Sequence, residues 1–269
     1  MNLDNVLTSK FEKLGVRLKV RLTENRLIRG GDFRLNVSHD NKGEFFDLQV
    51  FRDGVEFSVV DIRPKDRHLL LLAKMPDSAS KAAREIKTKL LCGHDERHWF
   101  VADVDSSSTT VEVAKERLKP AIVIETQERL RVKSKDRNKR KNDGFVRQGE
   151  WFFIPAPKMN PDKMLVLKNE PLRRGRGKPH MVEFLYRTGG TTVYVNSRYP
   201  NGLSQASYDS LIKRNPSAKN LPWRTMVRDP VAYVKGRVRH SDHKTVYLPI
   251  WHRVGLNEEI RSAQNAFLD

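Results

Sequence analysis

Near the C-terminal end of the chain, GRVRHSDHKTVYLPIWHRV (236–254) gathers His240, His243, Lys244 and His252. Imidazole changes charge close to neutrality, so one histidine can take a proton from a nucleophile while another returns one to a leaving oxygen. A lysine beside them would stabilise the charge that builds on a phosphorane. These four are therefore the candidate catalytic residues of a phosphodiester-cleaving reaction. The same residue types would equally serve a passive phosphate-binding loop.

A second group of potential ligands lies in LLCGHDERHWF (90–100), where Cys92, His94, Asp95, Glu96 and His98 fall within seven positions. A structural zinc ion takes about four N, S or O ligands and a catalytic one takes three plus water. Cys92, His94 and His98 are the candidate metal ligands, and completion from His240 and His243 would supply the right atoms. No CxxC, HExxH or finger spacing is present. The expectation is a protein with no cofactor, and a divalent metal such as zinc is the alternative. GxxxxGK[ST], GxGxxG after a strand and GxSxG are absent as well, which leaves P-loop, dinucleotide and serine-hydrolase chemistry without support.

Charge points to the partner. Lys and Arg number 51 against 33 Asp and Glu, a net of +18 with a sequence pI near 10.1. Residues 1–127 carry a net of only +2, residues 128–178 carry +10 and residues 179–269 carry +6. Such an excess favours a polyanion. The densest run, 128–144, contains Arg129, Arg131, Lys133, Lys135, Arg137, Lys139, Arg140 and Lys141, followed by Arg147. Few apolar residues interrupt it, so it reads as a mobile loop or linker. In LRRGRGKPH (172–180), Arg173, Arg174, Arg176 and Lys178 are spaced by glycines that let the backbone approach a phosphate. Between the runs, Trp151 could stack on an unpaired base, although burial of the WFF run (151–153) competes. Arg237 and Arg239 extend the cationic set into the C-terminal hairpin. Expected partners are nucleic acid, with RNA and DNA both open, and a protein docked on the near-neutral N-terminal domain. Nucleic-acid binding without chemistry, cleavage, and service as the nucleic-acid-contacting subunit of a larger assembly are the three functional readings.

These residues need a framework. An α+β fold is expected, with three parts: a near-neutral domain over 1–127, a basic linker or loop over 128–148, and a basic β-rich domain with a C-terminal helix over 149–269. Alternation over 33–37 and 44–51 predicts strands joined at His39–Gly43, and Asp53–Gly54 predicts a hairpin to 55–62. Residues 67–74 read as a buried strand. Residues 78–90 and 106–119 read as helices, giving an antiparallel sheet flanked by two helices. In the second half, strands at 151–154, 181–186 and 191–196, with Gly189–Gly190 turning between the last two, precede a helix at 204–214. A hairpin over 232–251 and a closing helix over 257–268 complete it.

The remaining bounds are broad. A hydrophobic share of 38% suffices for a core. No apolar run approaches the ~18 residues of a membrane span, so no membrane partner is expected. The single cysteine, Cys92, precludes an intrachain disulfide and, with no secretory pattern at the amino terminus, suggests a reducing cytoplasmic setting.

Overall fold

Period-two alternation puts Phe33, Leu35, Phe46 and Leu48 on one side of their strands, and that side is the wall of the first core. The computed structural model describes residues 3–22, 32–76, 85–173 and 178–258. Helix α1 (Leu3–Glu12) drops Leu7 and Phe11 onto a three-stranded sheet of β1 (Arg17–Leu22), β2 (Phe33–Asp40) and β3 (Gly43–Val50) in the order β1-β3-β2. β2 and β3 form the expected hairpin, and β1 runs parallel to β3. Facing it is an antiparallel meander of β4 (Glu56–Arg63), β5 (His68–Pro76), β6 (Glu85–Asp95) and β7 (His98–Val104). Phe57, Leu69, Leu71, Leu90, Cys92 and Trp99 close the core from that side.

Two local expectations need correction here. β3 and β4 belong to different sheets, so Asp53–Gly54 carries the chain across the sandwich instead of closing a hairpin. Part of the helix expected at 78–90 lies outside the described residues (77–84), and residues 85–90 are strand. Leu90 and Leu91 pair with β5 on one side and β7 on the other, and that pairing overrides the local helical preference of AAREIKTKL. β5 is the buried strand the LLLL run announced.

On the outer face of the meander, Leu70, Leu91 and Val104 meet Val111 and Ala114 of α2 (Val111–Arg117), whose start is capped by Thr110 Oγ1 accepting the Val113 amide at 3.2 Å. Pro120 ends α2 and opens α3 (Ala121–Arg129).

The basic run that follows is folded. It comprises the end of α3, the single turn α4 (Ser134–Arg137), β8 (Lys141–Asn142) and β9 (Phe145–Gln148). Buried Lys119 organises it. Its Nζ donates to Glu116, to Gln127 Oε1 at 3.1 Å and to the Arg137 carbonyl at 2.9 Å. The Asn142 side chain bonds the backbone of Asp136, Gly144 and Phe145. Reading this run as a mobile linker considered only its own apolar content and missed these partners outside it.

After β9 the chain continues through β10 (Trp151–Pro155), β11 (Leu167–Leu172) and β12 (His180–Thr188). It then makes a small module of β13 (Thr191–Asn196), β14 (Tyr199–Leu203), α5 (Gln205–Arg214) and β15 (Arg224–Arg228), with strands ordered β14-β13-β15. Gly189–Gly190 therefore leads into this module and does not close a hairpin within one large sheet. β16 (Val231–Arg239) and β17 (Val246–Leu256) follow as the expected hairpin. They complete a seven-stranded antiparallel sheet in the order β11-β12-β16-β17-β10-β9-β8. One face of β10 gives Trp151 and Phe153 to a core with Val182, Leu185, Val234, Val238 and Leu248, while Phe152 and Ile154 on the other face pack with Val123 and Phe145. The closing helix expected over 257–268 falls, from residue 259 on, outside the described residues. The fold is α+β throughout. Among the described residues, no helix is long and apolar enough to cross a membrane.

Candidate metal centre in a cleft between the two halves

Neighbouring strands bring two of the protein's eight histidines side by side. His180 opens β12 and His240 follows β16, and the next pair in the register is Met181 with Arg239. The hairpin turn then folds His243 over them. The ring centroids lie 4.2 Å apart for His180 and His240, 4.7 Å for His240 and His243, and 5.5 Å for His180 and His243. One ligand nitrogen from each falls within 4.8 Å of the others, and this is the one group of three or more potential metal ligands among the described residues.

The surroundings decide which nitrogens carry lone pairs. Gln148 Nε2 donates to the carbonyls of Lys244 and Val238, at 2.8 and 3.2 Å, so its Oε1 is left to accept. His180 Nδ1 lies 2.9 Å from that oxygen and donates to it, so in the neutral ring the lone pair is on Nε2. His243 Nδ1 lies 3.2 Å from Glu96 Oε2, and by the same reasoning its Nε2 carries the lone pair. His240 Nδ1 accepts the Asp242 amide at 3.1 Å, so its lone pair is on that side. Burial, together with the neighbouring imidazoles, lowers the pKa of His240. Burial likewise lowers that of His243, against the pull of Glu96. Both rings are therefore held neutral, the form that binds a cation.

Two carboxylates complete the arrangement. Glu150 Oε2 lies 3.7 Å from His180 Nε2. Burial works to raise the pKa of Glu150, but the polar groups around it, its own backbone amide among them, outweigh burial and keep the carboxylate ionised. Glu96 belongs to the β6–β7 turn of the first half, in a left-handed conformation with φ of 52°. Besides His243, it accepts the Lys244 amide at 2.9 Å and pairs with Arg140. Asp95 beside it pairs with Arg140 at 2.6 Å and Arg147 at 2.5 Å. The turn thus ties the first half to the second directly beneath the histidines.

Together these residues open onto a cleft of about 950 Å³, lined by His68, His94, Trp99, Lys115 and Lys119 from the first half and near it, and by Lys135, Lys178 and the three histidines from the second.

The residues singled out in the sequence take several places. His240 and His243 are in the cluster. Lys244 contributes its backbone while its side chain is exposed. His252 is buried on β17, with Nδ1 bonded to the Ile250 carbonyl at 2.8 Å, and does not line the cleft. Cys92, His94 and His98 do not form a ligand group. Cys92 is fully buried in the first core, where burial pushes its thiol pKa up, the His94 ring packs on Trp99, and His98 pairs with Glu44 at 2.7 Å. Trp151 is buried against the ring of His180 and offers no face to an unpaired base.

Among the cations, Arg137, Lys139, Arg140, Arg147 and Lys178 are engaged with Glu116, Asp136, Asp95, Glu96 and Asp242. Arg129, Arg131, Lys133, Lys135, Lys141, Arg173, Arg237 and Arg239 are exposed, with no carboxylate at ion-pair distance among the described residues. Arg174 and Arg176 lie outside the described residues. Sequence reasoning missed His180, Gln148 and Glu150; Glu96 was in view among the potential ligands of 90–100, but its reach to His243 was not. His180 stood in plain view at the end of LRRGRGKPH, but nothing local said that β12 would pair with β16. Compared with protein-family models, with curated proteins and with solved structures, the chain matches none of them.

Proposed function

We propose that the protein binds nucleic acid through the basic surface of its second half. The observation that carries this reading is the set of eight cations on the run 129–141, at Arg173 and on the β16 strand that are exposed and have no carboxylate partner among the described residues. Partnered cations such as Arg140 and Arg147 serve the fold, whereas unpartnered ones are free to displace counterions from phosphates. With Trp151 buried, recognition is chiefly of the phosphate backbone, and it extends to duplex and single strand alike.

Binding of fluorescent single- and double-stranded DNA and RNA across a salt series tests this. We expect a steep fall of affinity with salt. Failure to bind any of the four probes at low ionic strength overturns it.

A second reading, cleavage of the bound strand, is favoured by the convergence of three imidazoles and the Glu150 carboxylate in a cleft that Lys135 and Lys178 also line. Cleavage of those probes that His240→Ala abolishes while binding persists would support it. Intact probes after incubation of the parent protein with divalent cations would dismiss it.

A further inference from the structure

His180 and His243 turn lone pairs toward the same space with no donor between them, and such dipoles repel unless something positive joins them. His180 Nε2 and His243 Nε2 meet no hydrogen-bond donor among the described residues, and the Glu150 carboxylate lies 3.7 Å from His180 Nε2. The other nitrogen of His180 is fixed by Gln148 and that of His243 by Glu96, an arrangement that sets the tautomer, aims the ring and raises its basicity toward a cation. His240 Nδ1 already accepts the Asp242 amide at 3.1 Å, so a cation bound there would take the place of that hydrogen bond.

We propose that His180, His240 and His243 hold a single zinc ion, with its fourth coordination position toward Glu150 and the cleft. Three neutral imidazoles suit zinc, copper or nickel better than magnesium or calcium, which prefer oxygen. Zinc imposes no geometry of its own beyond a tetrahedral preference, and three protein ligands with one open position is the pattern of zinc sites that activate water. Nitrogens bound to tetrahedral zinc stand about 3.4 Å apart, from Zn–N bonds of about 2.0–2.1 Å. A set already within 4.8 Å closes on the ion by small side-chain rotations. Gly149 leaves the necessary room, since a Cβ there would lie 2.8 Å from His243 Nε2 and 3.3 Å from His180 Cε1. The remaining five histidines, His39, His68, His94, His98 and His252, lie outside the group. The assignment does not rest on nucleic-acid binding, and stands or falls separately.

The test is metal content and spectroscopy on the full chain. After exposure to Zn²⁺ and removal of excess ion, elemental analysis should find one zinc per chain. His240→Ala and His243→Ala should each retain less than a tenth of that, and His98→Ala should retain all of it. Circular dichroism checks that each variant is folded. If the variants are not folded, the parent protein loaded with Co²⁺ decides: intense visible bands of a four-coordinate, nitrogen-ligated ion support the site, and the weak spectrum of six-coordinate cobalt refutes it. A parent protein that keeps no stoichiometric zinc, or folded variants that keep it in full, overturns the proposal.

Discussion

Gly149 stands so close to His243 that a methyl group built on its Cα would lie 2.8 Å from the imidazole Nε2. The glycine also holds φ at +58°, where a side chain costs about 1 kcal/mol or more. Gly149→Ala should therefore leave a folded protein whose zinc affinity falls at least tenfold, measured by competition with a chromophoric chelator. Unchanged affinity would mean that the ion, if present, sits away from His243.

Glu96 acts on the ion only through His243. Glu96→Gln keeps the size of the side chain but removes the carboxylate that orients and polarises the ring. Loss of such a partner weakens zinc by roughly 10–100-fold. The same chelator competition reads it, and the cobalt spectrum should keep its band positions because the ligands themselves are unchanged.

His68 gives a pH dependence with a definite sign. Burial, reinforced by Lys115, lowers its pKa from 6.5 to about 4 despite the Asp66 carbonyl at 2.5 Å from Nδ1. The folded state thus favours the neutral ring. Its contribution is complete above the unfolded value and is lost as pH falls from 6.5 toward 4, amounting to about 3 kcal/mol at most. Urea titrations at pH 7 and pH 4.5 should show a smaller loss of stability in His68→Gln than in the parent. An equal loss in both would show that His68 does not contribute to the pH dependence.

Lys119 is the buried cation that folds the basic run. Lys119→Met takes the donor from Gln127 Oε1 and one of several donors from Glu116 and from the Arg137 carbonyl, and removing one partner from such a buried set costs about 3 kcal/mol. Denaturant midpoints measure the cost. Hydrogen exchange should quicken first over residues 131–145.

For nucleic acid, the exposed set is separable from the structural one. Replacing Lys133, Lys135, Lys141 and Arg173 together by Ala should reduce the slope of log affinity against log salt by about 3, at roughly 0.7–0.9 for each phosphate no longer neutralised. Arg140→Ala should act instead through stability, because it leaves Asp95 and Glu96 short of a partner. A slope unaltered by the fourfold change would place the phosphate-binding surface elsewhere.

What could be read from the chain alone was what depends on neighbours in sequence. The alternation of FRLNV and EFFDLQVF, the LLLL strand and the 232–251 hairpin are local patterns, and the structure reproduces them. Charge counting located the basic surface but could not tell a cation facing solvent from one paired with a carboxylate about 45 residues away, as Arg140 is with Asp95. The helix expected at 78–90 gave way over 85–90 to pairing on both sides of β6, which no window along the sequence contains. For the candidate site, two of the three histidines share one turn and stood out. The third, and all the residues that orient the set, arrive from β9, β12 and the β6–β7 turn, so only the sheet order could reveal them.

The β6–β7 turn has a wider consequence. Because Glu96 reaches from the first sandwich to a histidine of the second half, and Asp95 holds Arg140 and Arg147 beside it, an ion bound by the triad would also fasten residues some 150 positions apart in the chain. His243 thus stands between the ligand set and the first half, so a change that frees its ring from Glu96 would disturb both the triad and the seam between the halves.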